Sequence, residues 1–219
     1  MKAITKGGRM SLTLGAVMAL SQQCAPGISL EALVPQVKVE SHFNELAIGI
    51  NNGPQVRARS LPDAVAIATR YIRAGYSVDL GLAQINSHNL RRLGITIEQA
   101  FDPCSSLHSA EVVLTENYNS VSVGLTETDA INATWSLYNS GSTTRGMRNG
   151  YVRKVWNAAA DLVPRMQAML NGGQTPQFVA AEAPVPIGSG GTAPAPSAAP
   201  APQPRWIYGT PDTGVIVFK

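Results

Sequence analysis

The sequence predicts an all-α domain followed by a disordered Pro/Ala-rich C-terminal tail, and three observations carry that expectation. Apolar residues recur at helical spacing from Ser29 to about Leu170. Capping residues punctuate that stretch, and sustained period-2 alternation is scarce before residue 205. After Asn171 the composition changes: residues 171–204 hold one charged residue, Glu182, and eight of the fifteen prolines, too little apolar surface to support a fold.

Composition bounds the possibilities further. The 219 residues, 44% hydrophobic and 14% charged, suffice for one sizeable core and argue against wholesale disorder. A net charge of +3 gives mild attraction to anionic surfaces, but no Lys/Arg block marks a nucleic-acid interface, and no nucleic-acid partner is expected. No uninterrupted apolar run reaches the ~18 residues of a typical membrane-spanning helix.

Residues 1–21 read as an export signal. Lys2, Lys6 and Arg9 precede an apolar run from Met10 to Leu20, and the small residues Ala19 and Ser21 suit a cleavage point. The competing reading makes Leu12, Val17, Leu20 and Cys24 one side of a retained first helix. Cys24 and Cys104 lack CxxC spacing, which gives metal ligation little support. In an oxidising periplasm they can pair, adding on the order of 2 to 4 kcal/mol; otherwise they are two buried thiols.

The body then divides into helices. With Ser29 as N-cap, Leu30, Leu33, Val34 and Val37 form a stripe, and Glu40 falls on its centre line. A carboxylate so placed loses hydration, which raises its pKa toward the range of a general acid. Two readings remain open, because the helix can also end near Val39 and leave Glu40 in solvent, and Pro35 either kinks it or marks its start. Ser60 to Gly75 is the clearest helix, with Ser60 as N-cap, Pro62 and Asp63 in the first turn and Gly75 as terminator. Further helices are expected over about Ser87–Leu93, Thr96–Phe101, Ser105–Asn119, Thr128–Tyr138 and Tyr151–Met169.

Beyond the body, residues 171–204 form a linker that reaches roughly 100 Å if polyproline II. Residues 205–219 carry two β-prone segments around a turn-rich centre, Gly209 to Gly214. This end is either a docking peptide or an inert tail.

Four strings appear in order: "ESHFNELAIGINN" from Glu40, "LGLAQINSHNL" from Leu80, "WSLYNSG" from Trp135 and "GYVRKV" from Gly150. The order resembles the soluble lytic transglycosylases of the goose-type lysozyme superfamily over about residues 22–160. "QQCAP", the insert between the first two motifs, "FDPC" and the Pro-rich tail look like the VirB-type members of type IV secretion systems. Residues 22–170 are then the catalytic domain, with a lysozyme-like helical fold.

The resemblance implies a peptidoglycan lytic transglycosylase of the periplasm that cuts the β-1,4 bond after N-acetylmuramic acid, with secretion-system components as partners of the tail. Glu40 is the implied catalytic acid. Most glycosidases use two carboxylates, with substrate-assisted exceptions; Glu45 lies some 140 degrees around the helix, and Asp63 and Asp79 sit in cap and loop contexts. Ser41 is implied to orient the Glu40 region or meet substrate. Gln84 and Asn86 offer amide groups to amino sugars, and Asn139 supports them. Tyr138 and Tyr151 are implied to approach the catalytic carboxylate. Two departures stand out: Ala83 replaces a Met that lines the family's sugar groove, and Leu137 replaces an Ala. His42, His88 and His108 share no ligand spacing, so no metal or other cofactor is expected. Two alternatives stay open, a non-catalytic peptidoglycan-binding scaffold and a hydrolytic muramidase.

Overall fold

The computed structural model describes residues 11–172. The expected linker beyond Gly172, the β-prone segment at 205–219 and the basic residues Lys2, Lys6 and Arg9 lie outside the described residues. The chain runs through α1 (Leu14–Cys24), α2 (Leu30–Ser41), β1 (Ile48–Ile50), α3 (Leu61–Arg73), β2 (Val78–Leu80) and β3 (Ile85–Asn86). A 3-10 turn (Ser87–Asn89) then leads to α4 (Leu90–Leu93), α5 (Ile97–Phe101), α6 (Pro103–Val121), α7 (Glu127–Ser140), α8 (Arg145–Arg148) and α9 (Tyr151–Asn171).

Side-chain caps fix most of the helix starts. Ser60, Thr96, Asp102 and Thr126 each accept a hydrogen bond from a backbone N–H of the first turn of α3, α5, α6 and α7, satisfying one of the donors left orphaned there. Thr96 and Gln99 bond reciprocally as a capping box. The helix expected over Ser87–Leu93 is shorter, because a 3-10 turn occupies its first half and Gly94, in the left-handed region, ends it.

Two apolar clusters hold the domain together. The larger is built by α1, α2, α6, α7 and α9 around Met18, Leu33, Leu107, Leu114 and Trp135, all fully buried. Trp135 meets Trp156 of α9 edge to face at 5.3 Å. The smaller cluster packs Ala64 and Ala68 of α3 against Val78, Leu80 and Phe101. A three-stranded antiparallel sheet, ordered β1-β2-β3, joins the two. Its strands are only two or three residues long, too short for alternation to show in the sequence.

Of the two readings of the N-terminal stretch, α1 has the packing of the retained first helix. Val17, Met18, Leu20 and Ser21 are buried in the core, so residues 11–21 belong to the folded domain. The backbone N–H of Leu12 donates to the Phe43 carbonyl at 2.8 Å, and Ser11 bridges Asn44. Cys24, at the end of α1, forms a disulfide with Cys104 in the first turn of α6, 80 residues away.

Candidate active site

Glu40 lies in the last turn of α2, which runs through Pro35 to Ser41. His42 and Phe43 follow with φ of 55° and 65°. Two successive left-handed residues turn the chain away sharply and return the Phe43 ring to the core. Against α2 packs α9, which starts at Gly150 with φ 82° and presents Tyr151 as its first residue. The Tyr151 hydroxyl donates to Glu40 Oε1. Gln36, one turn before Glu40, is buried and hydrogen-bonds the same hydroxyl.

Burial dominates the electrostatics here. The Glu40 carboxyl is raised from 4.5 to about 7, chiefly by withdrawal from water, with the Tyr151 bond pulling it down and the charge of Asp79 pushing it up. Burial and the nearby Glu40 charge also hold the Tyr138 and Tyr151 hydroxyls well above their usual range. Both tyrosines therefore stay neutral and act as donors. Tyr138 donates to the Ala83 carbonyl at 2.8 Å.

A groove of about 710 Å³ opens alongside, lined from the sheet by Asp79, Gln84 and Asn86 and from α7 and α8 by Tyr138, Asn139 and Arg145. Gln84 sits at φ 52°, an uncommon conformation for a residue with a side chain. Its amide nitrogen donates to the Ala47 and Gly81 carbonyls at 3.1 and 2.9 Å, so Oε1 is what it retains for a sugar. Gly81 makes that turn possible, since at φ 71° a Cβ would run into the Ala100 carbonyl.

Several of the other expected residues serve the fold. Asn86 donates to Ser77 Oγ and Asp79 Oδ1, both at 2.7 Å, and accepts from the His88 N–H. Ser41 is buried and bonds back to the Val37 carbonyl, inside its own helix. Asn139 accepts from Asn149 at 2.9 Å and keeps its own amide nitrogen as a donor. Ala83 is buried and absent from the groove wall, so no side chain from this position lines the groove. Leu137 does line the groove.

Asp79 does not sit in a loop, as the sequence suggested. It is the middle residue of β2, between the buried Val78 and Leu80, and alternation along the strand turns it to the groove. Glu45 interacts with Asp102 instead, and Asp63 accepts from the Arg59 N–H beside the start of α3. The sequence reading missed Gln36, Asn51 and Arg145. Gln36 carries a signal in retrospect, four residues before Glu40 and so on the same helix face.

A helical domain whose half-buried Glu40 is held by a tyrosine beside a polar groove defines a class, and comparison with known proteins gives its family. The transglycosylase SLT domain family matches residues 18–157, and the chain belongs to it. Its relatives include protein virB1 of Agrobacterium fabrum, 35% identical over 162 residues, or 74% of this chain and 66% of that protein. The type IV secretion system protein virB1 of Brucella suis biovar 1 is 36% identical over 175 residues, 76% of this chain and 73% of that protein. That of Brucella abortus biovar 1 is 36% identical over 156 residues, 68% and 65%. The chain thus spans about two thirds of the length of these relatives. No solved structure matches it.

Proposed function

We propose that the chain is a periplasmic lytic transglycosylase that cuts peptidoglycan between N-acetylmuramic acid and N-acetylglucosamine, opening the wall for a type IV secretion apparatus. The observation that carries this reading is the Glu40–Tyr151 pair. An acid with a pKa of about 7 is half protonated at neutral pH, which suits one group that first gives a proton and then takes one.

In this mechanism the protonated Glu40 donates to the glycosidic oxygen as the bond to C1 breaks. The acetamido oxygen of the N-acetylmuramic acid covers C1 in the meantime, as in other glycosidases that rely on their substrate. The Glu40 carboxylate then removes the proton of the C6 hydroxyl, whose oxygen closes on C1. The product is a 1,6-anhydro sugar, and no water is consumed. Tyr151 holds the carboxylate in place through both steps.

The secretion role follows the names of the relatives, and the tail beyond Gly172 is proposed to dock on a component of that machine. Mass spectrometry of purified sacculi digested by the protein tests the reading. Anhydro-muropeptides are expected from the native chain and none from Glu40→Gln. Reducing ends would identify a muramidase, absence of release a scaffold, and activity unchanged in Glu40→Gln would remove Glu40 from the mechanism.

A further inference from the structure

Among the described residues that line the groove, Asp79 is the only carboxylate. It is held without a paired lysine or arginine: Oδ1 accepts from Asn86 at 2.7 Å and Oδ2 from Asn51 at 3.0 Å. Two neutral amides fix the plane of the group. An ionised carboxylate has about four acceptor sites, so two remain. Opposite it on β1 stands Gly49, whose lack of a side chain leaves the carboxylate uncovered. A Cβ there would stand 3.0 Å from Gln84 Oε1 and 3.4 Å from Asp79 Oδ2.

The chemistry of a one-acid site requires something at this place. When the acetamido oxygen bonds to C1, positive charge spreads over the new five-membered ring and its N–H becomes a strong donor. That N–H needs an acceptor which fixes the ring under C1 and offsets its charge. A rigid carboxylate with vacant acceptor sites, close enough to Glu40 and Tyr138 for its charge to act on both, meets the need. Gln84 Oε1, also on this groove, can accept but carries no charge to offset the ring's, and Arg145 and Arg92 cannot accept a hydrogen bond.

We infer that Asp79 is a second catalytic residue, the acceptor that holds the acetamido N–H of the reacting N-acetylmuramic acid and stabilises the cyclic oxazolinium ion. The inference rests on the transglycosylase reading above. The step balances within the substrate and Glu40. The C1–O bond to the leaving sugar breaks as the acetamido oxygen bonds to C1, and the leaving oxygen takes the Glu40 proton. The C6 oxygen then displaces the acetamido oxygen and returns its proton to Glu40. Asp79 transfers no proton.

The thiazoline derived from N-acetylmuramic acid is a stable stand-in for the oxazolinium ion, and its affinity is the measurement that isolates this role. In Asp79→Asn, release of anhydro-muropeptides should fall about 100-fold, the scale set by removing one preorganised group. KM should change less than about threefold, since the contact strengthens only as charge develops. Thiazoline affinity should drop at least about tenfold while that for an N-acetylglucosamine tetramer stays within about threefold. Equal thiazoline affinity in both proteins overturns the inference. So does a matching loss of tetramer affinity, which would make Asp79 a structural brace for Asn86 and Asn51. If Asp79→Asn does not fold, Asp79→Ser, which still accepts a hydrogen bond, carries the same comparison. If the native protein yields reducing ends, the transglycosylase reading fails, yet the thiazoline comparison still decides the role of Asp79.

Discussion

Tyr151 and Glu40, 111 residues apart in sequence, are joined by a hydrogen bond from the phenol to the carboxylate. The bond favours the ionised acid, whereas burial and Asp79 favour the neutral one. Because Glu40 must be protonated to start the reaction, kcat/KM should fall as pH rises through about 7.

Two substitutions should move that limb in opposite directions. Tyr151→Phe removes the contribution that lowers the Glu40 pKa, so the limb moves to higher pH. Asp79→Asn removes a contribution that raises it, so the limb moves to lower pH. Tyr151→Phe should also lose roughly 10-fold to 100-fold in kcat, because a freed carboxylate no longer rests at its working position. A pH profile of muropeptide release for the three proteins checks the signs, and shifts in the same direction would refute the account.

Glu40 should be a stability liability at alkaline pH. Its folded pKa lies above the unfolded value, so the native state binds more protons than the unfolded chain between about 4.5 and 7. Stability from this group is intact below about 4.5 and declines as pH rises to about 7. Glu40→Gln, which carries no charge, should therefore be more stable than the native chain at pH 8 by up to about 3 kcal/mol, with the gap closing near pH 4. Thermal melts of both proteins across that range measure it.

How far the sequence could be read depended on the range of the interaction. The helices of the body were legible because spacing and caps are local: Ser60, Thr96 and Thr126 mark their own helices. Glu40 stood out because seven residues of helix carried it from Leu33 to the same face. Asp79 was passed over because its strand is three residues long and its neighbours in space, Asn51 and Asn86, come from other segments. Gln84 and Asn86 were assigned to the sugar from their motif and their amide chemistry, which could not show that the backbone and Asp79 occupy their amide nitrogens. The apolar run up to Leu20 left two readings open for a physical reason, since an apolar core helix and the core of an export signal look alike in composition.

A chain beginning at Gln22 should not fold. Removing residues 1–21 takes Val17, Met18 and Leu20 out of the core, where each buried side chain contributes about 1.5 to 3 kcal/mol. Together these rival the net stability of about 5 to 15 kcal/mol of a typical domain. The same cut breaks the Leu12–Phe43 bond beside the turn that ends the Glu40 helix. A chain beginning at Ser11 should melt cooperatively and one beginning at Gln22 should not, as circular dichroism can show. A cooperative melt from the shorter chain would restore the boundary after Ser21.

The Cys24–Cys104 bridge should matter more than its distance from the groove suggests. It ties the end of α1 to the start of α6, and the loop it closes, spanning a sequence separation of 80, includes α2, the whole sheet and therefore Glu40, Asp79 and Gln84. Closing a loop of that length removes about 4 kcal/mol of unfolded-state freedom in the chain-entropy account. Cys24→Ser with Cys104→Ser should therefore lower stability by roughly 2 to 5 kcal/mol. The loss should appear as an earlier denaturant midpoint with little change in slope, since the surface exposed on unfolding is nearly the same. Activity measured well below the melting point should be largely retained, because neither cysteine lines the groove. Denaturant melts of the oxidised native protein, the reduced native protein and the double variant check this: the last two should agree, and a reduced protein as stable as the oxidised one would show that the bridge adds nothing.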